Sequence, residues 1–127
     1  MKRIGIVVVA YNASSTLASV LDRIPREFVP RVSAVLICDN ASEDSTYLVG
    51  LGYKQVFDDL PITVVRQPRN LGYGGNQKTG YRWAIEQGIE TVVLLHADGQ
   101  YAPARAALKG MVHSRKENFP RSLPSCA

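Results

Sequence analysis

Apolar residues in this chain come in four short runs, each cut off by polar or glycine-rich sequence. Residues 4–10 (IGIVVVA), 34–38, 62–66 and 91–95 are rich in Val, Ile and Leu. None is long enough to be a typical helix, and continuous β-branched runs of this length suit strands buried on both faces. Between them the period changes. Leu17, Val20, Leu21 and Ile24 recur at helical spacing after the N-cap candidates Ser14, Ser15 and Thr16, and Pro25 ends that helix near Ile24. Ser42-Glu43-Asp44-Ser45 opens a second helix, with acids where the helix dipole favours them. Gly72-Tyr73-Gly74-Gly75 reads as a flexible turn leading into a third helix over 77–87, closed by Gly88. Strands alternating with helices predict an α/β fold with a parallel sheet covered on both faces.

In an open parallel sheet, ligands bind beyond the carboxyl ends of the strands. The residues just after each run therefore matter most. The first run leads into Tyr11-Asn12-Ala13-Ser14, and the second into Asp39-Asn40-Ala41-Ser42-Glu43-Asp44. The third leads into Gln67-Pro68-Arg69-Asn70-Leu71-Gly72, and the fourth into His96-Ala97-Asp98-Gly99-Gln100. Polar loops are ordinary, and that accounts for Asn12 and Asn40. Asp39 and Asp98 are different, because each lies within two residues or so of a buried strand, where a carboxylate needs a donor, a cation or a ligand. Both acids are expected at one edge of the sheet.

Composition adds bounds. The 127 residues suit one domain, with 46% apolar and 20% charged residues. No run approaches the roughly 18 apolar residues of a membrane span. The two cysteines, Cys38 and Cys126, form neither a disulfide framework nor a metal spacing, and Cys38 is expected to be buried. A reducing cytoplasm is the expected location. The net charge of +4 is localised: residues 1–104 carry ten basic and ten acidic side chains, whereas 105–127 carry five basic residues against Glu117 alone. Such a tail can contact nucleic acid or anionic lipid, but its composition is equally that of a solvated terminus, and no nucleic acid is expected as a partner. After Pro103 the pattern fades. Residues 104–111 could form two helical turns, and "HSRKENFPRSLPSCA" has no period.

Two nucleotide-binding motifs are excluded. No G-x-G-x-x-G stands after the first strand, where the chain reads Ala10-Tyr11-Asn12-Ala13-Ser14-Ser15, and no G-x-x-x-x-G-K-[ST] occurs. By contrast, "VVVAYNASSTLASVL", "CDNASEDST", "NLGYGGNQKTGYRWA" and "LLHADGQY", in this order and spacing, resemble the nucleotide-sugar half of glycosyltransferase family 2, with its GT-A (Rossmann-like) fold. The similarity covers about residues 3–104 and is greatest to the dolichyl-phosphate mannosyltransferase-like and polyprenyl glycosyl transferase members.

The resemblance implies roles. Ala10 and Tyr11 would line the base pocket, and Asp39, acceptor-only when ionised, would take an N–H of the base. Asn40, with Ser42 and Asp44, would fix that turn, although plain helix capping explains Ser42 and Asp44 as well. Gly72, Gly74 and Gly75 would let a phosphate-bearing ligand approach the backbone, and Lys78 would face the diphosphate or simply be a solvated helix lysine. His96-Ala97-Asp98 matches the family's DxD segment, in which a strand end offers carboxylate to Mg²⁺ or Mn²⁺ holding the donor diphosphate. Asp98 takes the second acidic position. His96 replaces the first, and imidazole suits Mn²⁺ better than Mg²⁺; His96 could instead contact the ribose or cap the strand.

The implied activity is metal-dependent, inverting transfer of a sugar from a nucleotide-diphosphate sugar of the GDP-mannose or UDP-glucose type to an acceptor such as a polyprenyl phosphate at a membrane surface. The chain departs from the family pattern beyond this segment. Ala104 replaces the usual Glu after Pro103, and no general base is found for the acceptor, although a phosphate acceptor needs none. Residues 1–104 are thus expected to be a donor-binding half-domain, incomplete on its C-terminal side, and 105–127 a basic irregular tail of truncated or frame-shifted appearance. The alternative is a non-catalytic nucleotide-sugar-binding fragment that lacks the acceptor half and tends to self-associate.

Overall fold

The computed structural model describes residues 3–98 and the backbone of residues 112–113. Four parallel strands lie where the apolar runs predict them: β1 (Ile4–Ala10), β2 (Val32–Asp39), β3 (Ile62–Arg66) and β4 (Thr91–His96). They are joined by α1 (Leu17–Asp22), α2 (Thr46–Val56) and α3 (Gly72–Glu86). The order across the sheet is β3-β2-β1-β4-β5, where β5 (Val112–His113) is a two-residue strand antiparallel to β4, pairing Val112 with Val93 and His113 with Val92. No later strand is expected from the sequence. Two residues are too few for a hydrophobic period, and this strand exists through backbone pairing with the outer side of β4. The other tail positions, including the predicted helical turns over 104–111 and Cys126, lie outside the described residues, as do Gly99 and Gln100.

All seven residues of β1 are buried, as its unbroken apolar run requires. Its side chains divide between two layers. Ile6 and Val8 join Val35, Ile37, Val93 and Leu95 beneath Leu17, Val20 and Leu21 of α1, with Val49, Tyr53 and Phe57 at the side of α2. Val7 and Val9 point the other way, with Leu36, Cys38, Val92 and Leu94, towards Tyr81, Trp83 and Ala84 of α3. Cys38 is fully buried in this second layer. Helices on opposite faces result from right-handed crossovers: the chain moves outward from β1 to β3 over one face, then returns past β1 to β4 over the other.

Two helix starts and the role of one cap residue differ from the sequence reading. The glycine segment 72–75 is not a turn but the first turn of α3. Tertiary anchors override glycine's poor helix propensity there: Asn70 Oδ1 accepts the Gly72 N–H at 2.7 Å, and Asn40 Oδ1 accepts the Leu71 N–H at 2.8 Å. The second helix starts at Thr46, so Glu43 and Asp44 precede its first turn. Asp44 acts instead as an acceptor for the Thr46 N–H, the Thr46 hydroxyl and the Ser14 N–H. Thr16 stands at the N-cap of α1 but makes no capping bond to it; its hydroxyl donates to the Ala97 carbonyl at 2.6 Å.

Two glycine substitutions should separate packing from propensity. A Cβ at Gly80 in α3 would collide with Val7 Cγ1 of β1. Gly80→Ala should therefore lower the melting temperature, an overpacking cost of about 1–3 kcal/mol outweighing a helix gain of about 1. Gly52, exposed in α2 with nothing within 4 Å of a built Cβ, should tolerate Ala with a stability gain of about 0.5–1 kcal/mol. Thermal melts of both variants test this.

The Thr46 hydroxyl chiefly, against a smaller pull from burial and with help from the Thr46 and Ser14 N–H groups, holds the Asp44 carboxyl down at about 2, from 3.8. A carboxylate with a depressed folded pKa contributes stability that is present above its unfolded pKa and lost as pH falls through the folded one. Unfolding measured between about pH 4 and pH 2 should show a weaker acid dependence for Asp44→Asn than for the parent chain, small because the side chain is exposed.

Candidate functional site

The strand order reverses between β1 and β4, and the crevice outside their carboxyl ends is where a doubly wound sheet holds ligands. A cleft of about 320 Å³ opens there. Val9, Ala10 and Tyr11 form one wall, His96 and Asp98 another, and Asn40, Asn70, Gly72, Tyr73 and Asn76 close the side towards β2 and α3. Of the residues singled out from the sequence, Ala10, Tyr11, Asn40, Gly72, His96 and Asp98 thus meet in one cleft. A larger hollow of about 620 Å³ lies between α1, α2 and the start of β3, lined by Leu21, Ile24, Tyr53, Phe57 and Leu60 among others. It lies away from the strand-end polar groups that line the smaller cleft.

Lys78, Gly75 and Asp39 lie outside the cleft lining. Lys78 sits half-buried on α3. At Gly75 a Cβ would stand 2.8 Å from that of Leu71, so the glycine is required there by packing inside the first turn of the helix. Asp39, the last residue of β2, is fully buried behind the wall formed by its neighbour Asn40. Its Oδ1 accepts the Ser42 hydroxyl and, at 3.2 Å, the Ser42 N–H. Its Oδ2 has no hydrogen bond; Arg66 Nε stands 3.8 Å away on a half-exposed side chain. A buried acceptor with a lone pair to spare is uncommon and is the kind of group a ligand N–H satisfies.

Side-chain hydrogen bonds, not core packing, fix the loops around the cleft. Asn40 Nδ2 donates to Asn70 Oδ1 at 3.0 Å and to the Gly72 carbonyl at 3.3 Å, which ties the start of α3 to the end of β2. Asn76 Nδ2 donates to the Cys38 carbonyl at 3.0 Å and its Oδ1 accepts from Gln67. On the other side, the Asn12 N–H donates to Ser42 Oγ and the Ala13 N–H to Thr46 Oγ1, both at 2.8 Å. Asn12 has φ 48°, a conformation asparagine tolerates better than most residues, and its Oδ1 accepts the Glu43 N–H. Ser42 and Asn40 therefore act as braces between loops. The Thr16 bond to the Ala97 carbonyl places α1 directly against the turn that carries Asp98.

At the end of β4, burial pushes the His96 imidazole below its usual pKa, against an opposite pull from Asp98, so the ring is neutral near pH 7. His96 stacks on Tyr73, with ring centroids 5.4 Å apart, and its Nε2 lies 3.2 Å from the Tyr73 hydroxyl. A neutral imidazole and a carboxylate on one strand end make a mixed nitrogen and oxygen donor set, which fits Mn²⁺. Among the described residues no three His, Cys, Asp or Glu side chains gather into a metal cage. A cation here would take its remaining ligands from water and a bound diphosphate, which is how divalent ions commonly sit in phosphate-transfer sites. Sequence reasoning missed Asn70, Tyr73 and Asn76 as cleft residues. Asn70 was legible as a turn former just before Gly72, but Asn76 and Tyr73 reach the cleft only because α3 begins five residues earlier than the periodicity suggests.

The family model for glycosyl transferase family 2 matches residues 5–118, a span that extends past residue 104, where the sequence resemblance fades. An undecaprenyl-phosphate mannosyltransferase of Micrococcus luteus is 32% identical over 101 residues, covering 80% of this chain and 40% of that protein. A mannosyltransferase of Pyrobaculum calidifontis, solved in complex with GDP-Man and Mn²⁺, superposes with TM-score 0.64 at 26% identity, over 86% of this chain and 31% of that one. S. aureus TarS 1–349 in complex with UDP-GlcNAc shares the fold, with TM-score 0.58 at 20% identity over 76% of this chain and 26% of that one. The chain thus spans well under half the length of these relatives. With four parallel strands, a cleft at their switch point and a family match over most of its length, the chain belongs to glycosyl transferase family 2.

Proposed function

We propose that this chain is the donor-binding part of a nucleotide-sugar-dependent glycosyltransferase of the mannosyltransferase kind. The observation that carries the reading is the cleft between the ends of β1 and β4, with Asp98 and neutral His96 on one wall and Ala10 and Tyr11 on the other. Tyr11 and Ala10 offer an apolar surface for a base. Asp39 Oδ2, buried behind Asn40 and 3.8 Å from Arg66 Nε, would accept a base N–H only where Asn40 moves aside. The Gly72 backbone and Tyr73 border the path between base and strand end, where the diphosphate belongs. Asp98, with His96, would hold Mn²⁺ or Mg²⁺, which when bound neutralises the charge of the departing nucleoside diphosphate. The relatives favour GDP-mannose as donor, and the Micrococcus protein's name favours a polyprenyl phosphate as acceptor. Transfer would be inverting. A lipid acceptor implies work at a membrane surface, and none of the described helices is long and apolar enough to cross a membrane.

A second reading comes from span. The chain corresponds to about a third of its structural relatives, so it could bind donor without transferring sugar by itself. Transfer from labelled GDP-mannose to undecaprenyl phosphate, assayed with this chain and with a polypeptide extended to the relatives' length, separates the two: turnover by the short chain sinks the second reading.

Calorimetry with GDP, UDP and the bare nucleosides, with and without Mn²⁺, tests donor binding directly. Asp98→Ala should weaken nucleoside-diphosphate binding by about 10–100-fold, the scale of one charge-assisted contact, and remove its Mn²⁺ dependence while sparing the nucleoside. Undiminished Mn²⁺-dependent binding by this variant would move the metal site elsewhere. Asp39→Asn, near-isosteric and so least disturbing to Ser42, should weaken nucleoside and nucleotide alike, with or without metal. An unchanged nucleoside affinity would exclude Asp39 from base recognition.

A further inference from the structure

The middle residue of the strand-end motif is held from two sides. The Ala97 N–H donates to the Val9 carbonyl of β1 at 3.0 Å, and the Ala97 carbonyl accepts the Thr16 hydroxyl at 2.6 Å. The Ala97 methyl is buried, at 1% exposure, in the layer beneath α1, while the flanking His96 and Asp98 line the cleft. Thr16 reaches this turn from 81 residues earlier in the chain. It stands at the N-cap of α1, where a threonine oxygen ordinarily accepts a backbone N–H of the first helical turn, yet no such bond forms. Its hydroxyl has one other acceptor within range, the Ala13 carbonyl, at the longer distance of 3.4 Å. The side chain at this capping position thus serves the turn after β4 and not the helix it precedes.

Thr16 also ends the short loop that begins with Tyr11, one wall of the cleft. That loop is fastened to the loop after β2, since the Asn12 N–H donates to Ser42 Oγ and the Ala13 N–H to Thr46 Oγ1. The Ala13 carbonyl in turn takes the N–H groups of Thr16 and Leu17, at 3.1 and 2.9 Å. From this braced loop, the Thr16 hydroxyl is the link to the turn that carries Asp98. We propose that Thr16 is a positioning residue for the donor: it fixes the separation between the Tyr11 wall and the turn at Ala97-Asp98, so that a nucleoside diphosphate meets both walls at once. The inference rests on the donor-site reading above, in which the base lies on the Tyr11 wall and the diphosphate at Asp98. A ligand that spans two subsites gains its full affinity only when their spacing matches its own, whereas a ligand confined to one subsite follows a wall that shifts. Thr16 therefore matters for the intact nucleotide and not for its halves.

The test measures the binding of three probes by calorimetry in the presence of Mn²⁺: GDP, guanosine and inorganic pyrophosphate. The parent chain is compared with Thr16→Val, Thr16→Ser and Asp98→Ala. Thr16→Val keeps the shape of the side chain and removes its donor, and the helix start loses no bond because the Thr16 side chain makes none to it. This variant should bind GDP about 10-fold more weakly, the scale of one hydrogen bond, with guanosine and pyrophosphate within about 2-fold of the parent. Thr16→Ser retains the hydroxyl and should restore GDP affinity to within about 2-fold of the parent. Unchanged GDP affinity in Thr16→Val would overturn the proposal. So would equal losses for GDP and either half, which mark general loosening, or a Thr16→Ser variant as weak as Thr16→Val. Each of these outcomes leaves the donor-site reading intact. No GDP binding by the parent chain, or parent-like GDP binding by Asp98→Ala, would overturn that reading and the proposal with it.

Discussion

The parallel pairing of β1 with β2 on one side and β4 on the other is the constraint on which the rest of the structure depends. Val9 of β1 faces Cys38 and His96 in register, and Ala10 faces Asp39. The three strands therefore end level, and the residues after them emerge side by side. Because the chain winds outward over one face and returns over the other, no helix among the described residues covers the gap between the ends of β1 and β4. A strand buried on both faces has no freedom to slip, since a one-residue shift would exchange its two apolar layers. The cleft inherits that rigidity.

Rigid strands alone do not position loops. Parallel strands end with backbone groups that have no neighbour to pair with, and here polar side chains supply the partners. Asn40, Asn70 and Asn76 brace the start of α3, whereas Asn12, Ser42, Asp44 and Thr46 lock the loop after β1 to the loop after β2. Thr16 adds the tie to the turn at Ala97. Asn40, Ser42, Thr46 and Asn76 are all buried, so each unmade bond would leave a desolvated donor or acceptor. Residues that look like loop polarity in the sequence are the fasteners of the site.

That distinction explains how much was legible beforehand. β1 and β3 were readable to the residue, because unbroken β-branched runs have a single interpretation. The common edge of Asp39 and Asp98 was inferred from the alternation of strands and helices. The start of α3 was not readable, because Gly72, Gly74 and Gly75 argue against helix, and only bonds from Asn40 and Asn70, distant in sequence or local in geometry, hold it. Nor was the stance of Asp39. The sequence shows an acid at a strand end, but burial behind Asn40 and the pairing of one oxygen by Ser42 emerge only in three dimensions. The strand at Val112–His113 lacked any pattern, since it depends on the exposed edge of β4.

The central claim is that a metal and a nucleoside diphosphate meet at the ends of β1 and β4. Paramagnetic broadening of backbone amide signals by Mn²⁺, recorded with saturating GDP, tests it most directly. The account predicts selective broadening at Tyr11, Gly72, Tyr73, His96 and Asp98, with Leu21, Tyr53 and Leu60 around the larger hollow unaffected. Broadening centred on that hollow, with the strand-end amides sharp, would contradict it.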